Sequence, residues 1–404
     1  MRFQLTARTG HPDFLDLPWN RPLVDWTDER LVEVARGLHR HVVRFVNLAG
    51  TVYALKELRP RLAEREYRLL RHLAEESLPV VDVVGVVSGR ATARGEPLDA
   101  ILMTRHLPYA LPYRALFARA RMPDVRRHLL DALAGLLVRL HLAGFFWGDC
   151  SLSNSLFRRD AGALAAYLVD AETAELHYQL TNGQRLHDLE IAQHNIAGEL
   201  LDVQAELGLD VGLDPLATSE ELAERYAGLW SELTREETFA PDERYRVDAR
   251  LRRLNELGFD VEEVQLVSVD GGYQLRLSPR VVEPGHHRRR LLSMTGLDVQ
   301  ENQARRLLND LAHYRAQRQD EEGPLPDPVI AYRWMTEVFE RAIAQVPSDL
   351  RGKREPAELF HELLEHKYLR SQAAGRDIGL VEATRSYVEK VLRYHPDERG
   401  VFAD

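Results

Sequence analysis

The order of apolar patterns in the first hundred residues constrains the fold of this chain more than any other feature. The runs His41–Leu48 and Thr51–Leu58 flank the turn signal Ala49-Gly50, and together they predict an antiparallel hairpin. Residues 61–76 then carry apolar side chains at helical spacing, and the valine-rich run Leu78–Val87 predicts another strand. The sequence therefore predicts the order strand, strand, helix, strand.

Beyond these elements the pattern changes from mixed to helical. A short strand is predicted over Asp99–His106, and Met122–Ala143 carries leucines along one side of a long helix. Further helices are predicted at about 187–207 and 218–235. We therefore expect an α+β fold in which a small antiparallel sheet precedes a helical region.

The second half of the chain has a pattern of its own. The runs Val264–Val269 and Tyr273–Leu277 flank a turn with two glycines and predict a second hairpin. Four helices are predicted after it, near 298–318, 328–345, 355–373 and 378–393. The pattern breaks near Thr238–Asp242, and 404 residues exceed what one core usually holds. We therefore predict one domain over 1–240 and a mostly helical domain over 241–404.

Composition excludes some classes of partner. With 63 acidic and 53 basic residues the net charge is -10, which argues against broad electrostatic capture by nucleic acid or anionic lipid. The single cysteine, Cys150, excludes an intramolecular disulfide and a cysteine-rich zinc module. Met1–Asn20 lacks the pattern of a signal peptide, and no apolar run reaches the roughly 18 residues that span a bilayer. We expect a cytoplasmic protein without integral membrane contact.

Phosphoryl transfer from ATP needs a cation for the phosphates, a partner that orients this cation, Mg²⁺ ligands and a carboxylate beside the acceptor hydroxyl. Five polar residues of this chain can supply these groups. Lys56 lies late in a predicted strand, and Glu66 lies on the next helix, where it is placed for an ion pair. Asp149 and Asn154 stand five residues apart directly after the long helix, which is the spacing of a catalytic loop. Asp170 ends a short apolar strand, which suits a magnesium ligand held at a rigid edge.

These five residues resemble the motifs of the protein-kinase-like superfamily, over roughly residues 30–235. In detail the chain is more similar to the lipopolysaccharide-core sugar kinases and to the aminoglycoside and choline kinases than to regulatory Ser/Thr kinases. Trp147-Gly148-Asp149 resembles their His-Gly-Asp, Asp170-x-Glu172 resembles their Asp-x-Glu, and His187-Asp188-Leu189 resembles the Asp-Leu that opens a later helix. The chain is also similar to kinase-like bacterial proteins of unknown function that carry an extra C-terminal domain.

The resemblance implies a bilobal fold that binds ATP and Mg²⁺, with a role for each matched residue. Asp149 would act as the base or position the acceptor hydroxyl, and Asn154 and Asp170 would bind Mg²⁺. Lys56 would contact the α- and β-phosphates, and Glu66 would orient Lys56.

The chain departs from the superfamily pattern at four points. No G-x-G-x-x-G precedes the lysine strand, and the candidates for covering the phosphates are Gly37, which allows close approach, and Arg40, which would touch phosphate. Trp147 replaces a histidine that braces the catalytic loop in the family. Glu172 replaces the glycine of regulatory kinases, and an Ala-Pro-Glu motif is lacking, so a peptide substrate is not expected.

The leading hypothesis is transfer of phosphate from ATP to a hydroxyl of a sugar, a glycan lipid or another small molecule. The first alternative is a pseudokinase or nucleotide-sensing scaffold that binds a partner through its C-terminal domain, which the missing glycine-rich loop and Trp147 suggest. A second alternative makes the basic run His286–Arg290 a nucleic-acid contact, although a solvated surface fits an acidic protein better.

Other residues have simpler interpretations. Asp188 is expected to cap a helix or brace the catalytic loop, and Cys150 is expected to be a packed bystander. His361 and His366 stand five apart, where zinc binding on one helix face requires four. The helices after residue 298 are expected to form a core, and they also offer a face for an oligomer.

Overall fold

The computed structural model describes residues 3–33, 41–114, 116, 123–207, 214–235, 237–239, 259–261, 264–269, 272–277, 281–323 and 325–399. The chain forms two compact units. The first is built from Met1–Phe157 and Ala166–Ala227, and the second from Arg158–Ala165 and Gly228–Arg399. The boundary predicted between 1–240 and 241–404 stays a prediction, because residues 240–258 lie outside the described part of the chain.

The first unit contains a six-stranded antiparallel sheet with the strand order β1-β5-β6-β4-β3-β2. Its strands are β1 (Gln4–Ala7), β2 (Leu31–Val32), β3 (Val42–Leu48), β4 (Thr51–Leu58), β5 (Val83–Ser88) and β6 (Ala100–Arg105). The predicted first hairpin is β3 and β4, with Leu48 paired with Thr51. The turn residues Ala49 and Gly50 have φ angles of 52° and 81°, as a two-residue hairpin turn of this hand requires.

Helix α1 (Pro60–Glu75) packs against β5 and β6 and carries a carboxylate into the interior. Its first residue is proline, whose fixed φ suits the start of a helix. Ala63, Leu70 and Leu73 bury one face of the helix, because their spacing places them on the same side. Glu66 shares that buried face and therefore points toward the sheet rather than toward water.

The remainder of the first unit is largely helical. The long helix α2 (Pro123–Leu142) buries the leucines predicted for its inner side. The following elements are β7 (Phe145–Phe146), β8 (Ser155–Asp160), β9 (Ala163–Leu168), β10 (Glu175–Leu176), α3 (Asn182–Leu207) and α4 (Pro215–Thr234). Strands β8 and β9 form a hairpin whose tip belongs to the second unit, and β7 pairs with β10. Asp149 and Asn154 thus lie between β7 and β8, and Asp170 follows β9.

The second unit combines short strands with a helical core. The strands are β11 (Glu237–Phe239), β12 (Phe259–Val261), β13 (Val264–Val269), β14 (Gly272–Leu277) and β15 (Val281–Pro284). The helices are α5 (His286–Thr295), α6 (Glu301–Glu322), α7 (Asp327–Trp334), which continues through a π-helical turn (Met335–Phe339) into α8 (Glu340–Ala344), and then α9 (Pro356–Ala374) and α10 (Gly379–Lys390). Trp334, Phe339 and Phe360 contact one another at the centre of this core.

The predicted fold class is confirmed. An antiparallel sheet is followed by helices, and the second half is mostly helical with the predicted hairpin formed by β13 and β14. The short strands β11, β12 and β15 were not predicted, because three or four residues give too little periodicity to recognise. Within the described ranges, no helix has the length and apolar character needed to cross a membrane.

Candidate functional site

A cavity of about 460 Å³ in the first unit collects the side chains that the sequence singled out. Lys56 enters it from β4 and Glu66 from α1. Asp149 and Asn154 line it from the loop between β7 and β8, and Asp170 from the segment after β9. Gly37 and Arg40, the candidates for covering the phosphates, lie outside the described residues.

Lys56 is the centre of an ion cluster in this cavity. Its Nζ lies 3.0 Å from Glu66 Oε2 and 2.7 Å from Asp170 Oδ2. Glu66 is only 1% exposed, and it also accepts a hydrogen bond from the backbone N–H of Ala171 at 3.4 Å. The ammonium group therefore joins residues that are 10 and 114 positions away along the chain.

The charges of the cluster act on each other's protonation. Burial lowers the pKa of Lys56, but the carboxylates of Glu66 and Asp170 outweigh it and the net pKa is raised. Burial and the neighbouring charge of Asp170 raise the pKa of Glu66 to about 7. Burial also acts to raise the pKa of Asp170, yet the Lys56 ammonium holds it below its usual value. The cavity thus keeps Lys56 charged and Asp170 ionised.

Two further side chains complete the cluster. Glu172 Oε2 lies 2.7 Å from His41 Nε2 and 3.8 Å from Lys56 Nζ. The backbone N–H of Glu172 donates to Asp170 Oδ1 at 2.9 Å, which turns the chain so that both carboxylates face the cavity. His41 was not predicted, and nothing near it in the sequence indicates a partner that is 131 residues distant.

The carboxylate of Asp149 is held by two amide groups. Asn154 donates through Nδ2 to Asp149 Oδ2 at 3.1 Å and to the Asp149 carbonyl at 3.0 Å. Asn195, on α3, donates through Nδ2 to Asp149 Oδ1 at 3.1 Å and to the Cys150 carbonyl at 3.1 Å. Asn195 was not predicted, but its helical spacing from Asp188 was a signal that could have found it.

Asp188 braces the loop from behind. It is fully buried and accepts hydrogen bonds from the backbone N–H groups of Trp147 (2.7 Å) and Gly148 (2.8 Å). His141 Nε2 lies 3.0 Å from the same carboxylate. Gly148 has a φ of 74°, and a side chain there would meet the Thr173 carbonyl at 3.2 Å, so glycine is required at this turn.

Trp147, the replacement for the family's histidine, also makes a bracing contact. Its ring is fully buried, and its Nε1–H donates to the Asp170 carbonyl at 2.9 Å. Thr173 Oγ1 donates to the Trp147 carbonyl at 3.1 Å from the same segment. The tryptophan therefore ties the loop of Asp149 to the segment that carries Asp170.

Several further polar side chains line the same cavity. Ser151, Ser153 and Tyr113 line it, together with Arg114, whose guanidinium lies 5.5 Å from the centre of the Tyr113 ring. Glu199 also lines it, and its carboxylate accepts from the backbone N–H groups of Leu152 (2.6 Å) and Ser153 (3.1 Å). Burial raises the pKa of Glu199.

Cys150, His361 and Arg288 do not extend the site. Cys150 is fully buried, and burial raises the pKa of its thiol well above the usual value. His361 Nε2 lies 4.0 Å from Glu365 Oε2, and the described residues contain no group of three His, Cys, Asp or Glu side chains that could hold a metal ion. Arg288 pairs with Asp298 at 2.6 Å on the surface of the second unit.

Comparison with known proteins agrees with the resemblance seen in the motifs. Residues 37–199 match the sequence model of the lipopolysaccharide kinase (Kdo/WaaP) family, and residues 228–392 match that of a domain of unknown function, DUF4032. A solved structure described as WaaP in complex with acyl carrier protein has 18% sequence identity and a TM-score of 0.36 over 56% of this chain and 88% of that chain. No curated protein matches the sequence significantly. The predicted similarity to lipopolysaccharide-core kinases, with an additional C-terminal region, is confirmed.

Proposed function

We propose that this chain, which joins a lipopolysaccharide-kinase-like region to a DUF4032 region, transfers the γ-phosphoryl group of ATP to a hydroxyl of a sugar, a glycan lipid or another small molecule. One observation carries the proposal: Lys56 lies between Glu66 and Asp170 in a cavity that also exposes the carboxylate of Asp149. Phosphoryl transfer depends mainly on positioning and electrostatic stabilisation, and this arrangement supplies both.

The residues present fit ATP and Mg²⁺. Lys56 would contact the phosphates, with Glu66 fixing the direction of its ammonium group. Asp170 and the amide oxygen of Asn154 would hold Mg²⁺, since this ion prefers carboxylate and carbonyl oxygens. Glu66, Asp170 and Glu172 surround a single lysine, so a divalent cation would balance the excess of carboxylates. When bound, Mg²⁺ neutralises charge on the phosphate oxygens.

The chain's own groups account for the transfer step. An acceptor hydroxyl would donate its hydrogen bond to the carboxylate of Asp149, which aims the oxygen at the γ-phosphorus. As the new bond from the acceptor oxygen to phosphorus forms, the bond from the γ-phosphorus to the bridging oxygen of ATP breaks. The hydroxyl proton passes to Asp149, and ADP departs with the bonding electrons while Lys56 balances its charge.

The walls beside Asp149 favour a hydroxylated acceptor. Ser151, Ser153 and Tyr113 offer hydroxyl groups that donate and accept hydrogen bonds, and Arg114 adds a cation. A sugar presents several hydroxyls that such a wall can bind. The family whose model matches residues 37–199 is described as a lipopolysaccharide kinase family, and we infer the same class of acceptor for this chain.

Phosphotransfer with [γ-³²P]ATP and Mg²⁺ tests the proposal, using monosaccharides, lipid-linked oligosaccharides and lipopolysaccharide-core fragments as acceptors. Calorimetry with the same protein measures Mg²⁺·ATP binding. We expect binding, label on a carbohydrate acceptor, and a loss of about 10³-fold in transfer for Asp149→Asn. The exposed Asp16 provides the matched control Asp16→Asn, which should transfer normally.

Two results would count against a phosphotransferase. Absence of Mg²⁺·ATP binding would remove the nucleotide site altogether. A second result would be that the protein binds Mg²⁺·ATP but Asp149→Asn changes neither phosphotransfer nor ATP turnover. That result would favour the alternative, a nucleotide-sensing scaffold that binds a partner through the C-terminal region.

A further inference from the structure

Helix α3 presents a row of three polar side chains to the loop that carries Asp149. Asp188, Asn195 and Glu199 are seven and four residues apart, which places them on one face of the helix. Asp188 holds the backbone at Trp147 and Gly148, and Glu199 holds it at Leu152 and Ser153. We call these three residues the α3 row. Asn195 stands between the two backbone contacts.

Asn195 differs from the other members of the α3 row because it contacts the carboxylate of Asp149. Its Nδ2 lies 3.1 Å from Asp149 Oδ1 and 3.1 Å from the Cys150 carbonyl. Both partners are acceptors, so only the amino end of the amide fits at this position. The orientation of Asn195 is therefore fixed by the oxygens around it.

The two amides together fix the plane of the Asp149 carboxylate. Asn195 donates to Oδ1 and Asn154 donates to Oδ2, each at 3.1 Å. Without Asn195, the carboxylate would lose the donor on Oδ1 and gain freedom to rotate about its χ angles.

We propose that Asn195 is a positioning residue for phosphoryl transfer, holding the Asp149 carboxylate in the orientation that receives the acceptor hydroxyl. The inference rests on the function proposed above and deepens it. Asn195 lines the cavity, and its role there is to act through Asp149. Because a misplaced catalytic group costs up to about 10²-fold, its removal should lower turnover by about 10- to 100-fold.

A double-mutant cycle separates positioning from general support of the fold. Turnover of Mg²⁺·ATP to ADP, with water as the acceptor, is measured for Asn195→Ala, Asp149→Asn and the double variant. If Asn195 works only through Asp149, Asn195→Ala should lower kcat in the natural background and change it less than about twofold in the Asp149→Asn background. A structural role would lower turnover in both backgrounds.

The second readout is the distinction between kcat and nucleotide binding. The ion cluster of Lys56 does not include Asn195, so the KM for ATP and the calorimetric affinity for Mg²⁺·AMP-PNP should stay within about twofold of the natural protein. Asn182→Ala is the matched control, since Asn182 is exposed at the start of the same helix and should leave kcat unchanged.

Each outcome decides between the possibilities. A kcat equal to that of the natural protein in Asn195→Ala, while Asp149→Asn lowers kcat as expected, overturns the positioning role and leaves the phosphotransferase intact. If the natural protein neither binds nor turns over Mg²⁺·ATP, the proposed function fails first. If Asn195→Ala does not fold, Asn195→Ser, which keeps a donor, takes its place, and failure of both to fold shows that Asn195 is structural and overturns the inference.

Discussion

Buried carboxylates occur in both units, and the two groups differ in where their oxygens find partners. In the cavity of the first unit, Glu66 and Asp170 both meet the ammonium of Lys56 beside open space. In the second unit, Asp160 and Glu358 have amide N–H groups as their partners. Asp160 accepts from the backbone of Asn302 and Gln303, and Glu358 accepts from the backbone of Ala161 and the amide of Gln303.

A raised pKa does not distinguish the two groups, because each contains at least one carboxyl whose pKa burial raises, although Lys56 holds the pKa of Asp170 low. Burial raises the pKa of Glu66 to about 7, that of Asp160 to about 6 and that of Glu358 to about 7. The partners are what differ. Asp160 and Glu358 accept hydrogen bonds from amides of α6 and of the tip of the β8–β9 hairpin. In the cavity of the first unit, Glu66, Asp170 and Glu172 share the single ammonium group of Lys56. A buried carboxyl with a raised pKa therefore indicates a ligand site only when groups of the fold do not already stabilise its charged form.

Lys56→Met should have the largest effect, because it removes the cation on which the cavity group depends. We expect Mg²⁺·ATP turnover to fall by about 10³-fold or more, since the phosphates lose their cation and Glu66 loses the partner that orients its carboxylate. Lys390→Met, at an exposed position on α10, is the matched control. Steady-state kinetics provides the measurement, and turnover above one tenth of the natural value would show that the cluster does not serve the nucleotide.

The sequence predicted Lys56, Glu66, Asp149, Asn154 and Asp170 because each stands next to a strong local pattern. A strand, a helix or a tight loop fixes where such a residue lies, so its neighbours along the chain carry the information. The structure brings these five together, and their roles stay predictions. Gly37 and Arg40 lie outside the described residues, so their placement also stays a prediction.

Contacts between distant segments escaped sequence analysis. Asn195 meets Asp149 across 46 residues, and Glu358 meets Ala161 across 197. Nothing local marks such a pair, because helical spacing shows which face a residue occupies but not what packs against that face. The spacing of the α3 row on one face of a helix was recognisable from the sequence, but its target was not.

Asp160→Ala should affect stability rather than chemistry, in keeping with the structural nature of the second group. Asp160 caps the first turn of α6, at 2.8 Å from the Gln303 N–H and 3.2 Å from the Asn302 N–H. Its removal leaves these two backbone donors and the side-chain amide of Asn302 without this buried partner, which should cost about 4 kcal/mol. Denaturant unfolding of the full chain measures the loss. Asp298→Ala, which removes a surface pair with Arg288, should cost much less, and equal losses would contradict the comparison.

Glu358→Gln should have the smallest effect, and one that depends on pH. Burial and the charges of Glu362 and Asp160 raise the pKa of Glu358 to about 7, against the donors from Gln303 and Ala161. Between the ordinary pKa of 4.5 and this raised pKa, the folded chain holds a proton that the unfolded chain has released. The contribution of Glu358 to the free energy of unfolding therefore falls as the pH rises from about 4.5 to about 7. A shift of this size corresponds to about 3 kcal/mol. Glutamine keeps an oxygen for both donors, which share Oε2, and does not titrate.

As the pH rises from 4.5 to 8, the free energy of unfolding of Glu358→Gln should therefore fall by about 3 kcal/mol less than that of the natural protein. Denaturant unfolding at several pH values measures the difference. Glu365→Gln, which changes a largely exposed carboxyl on the same helix, should follow the pH dependence of the natural protein. If Glu358→Gln shows the same pH dependence as the natural protein, the pKa of Glu358 is not raised in the folded state. The amide donors would then stabilise the carboxylate by at least as much as burial destabilises it.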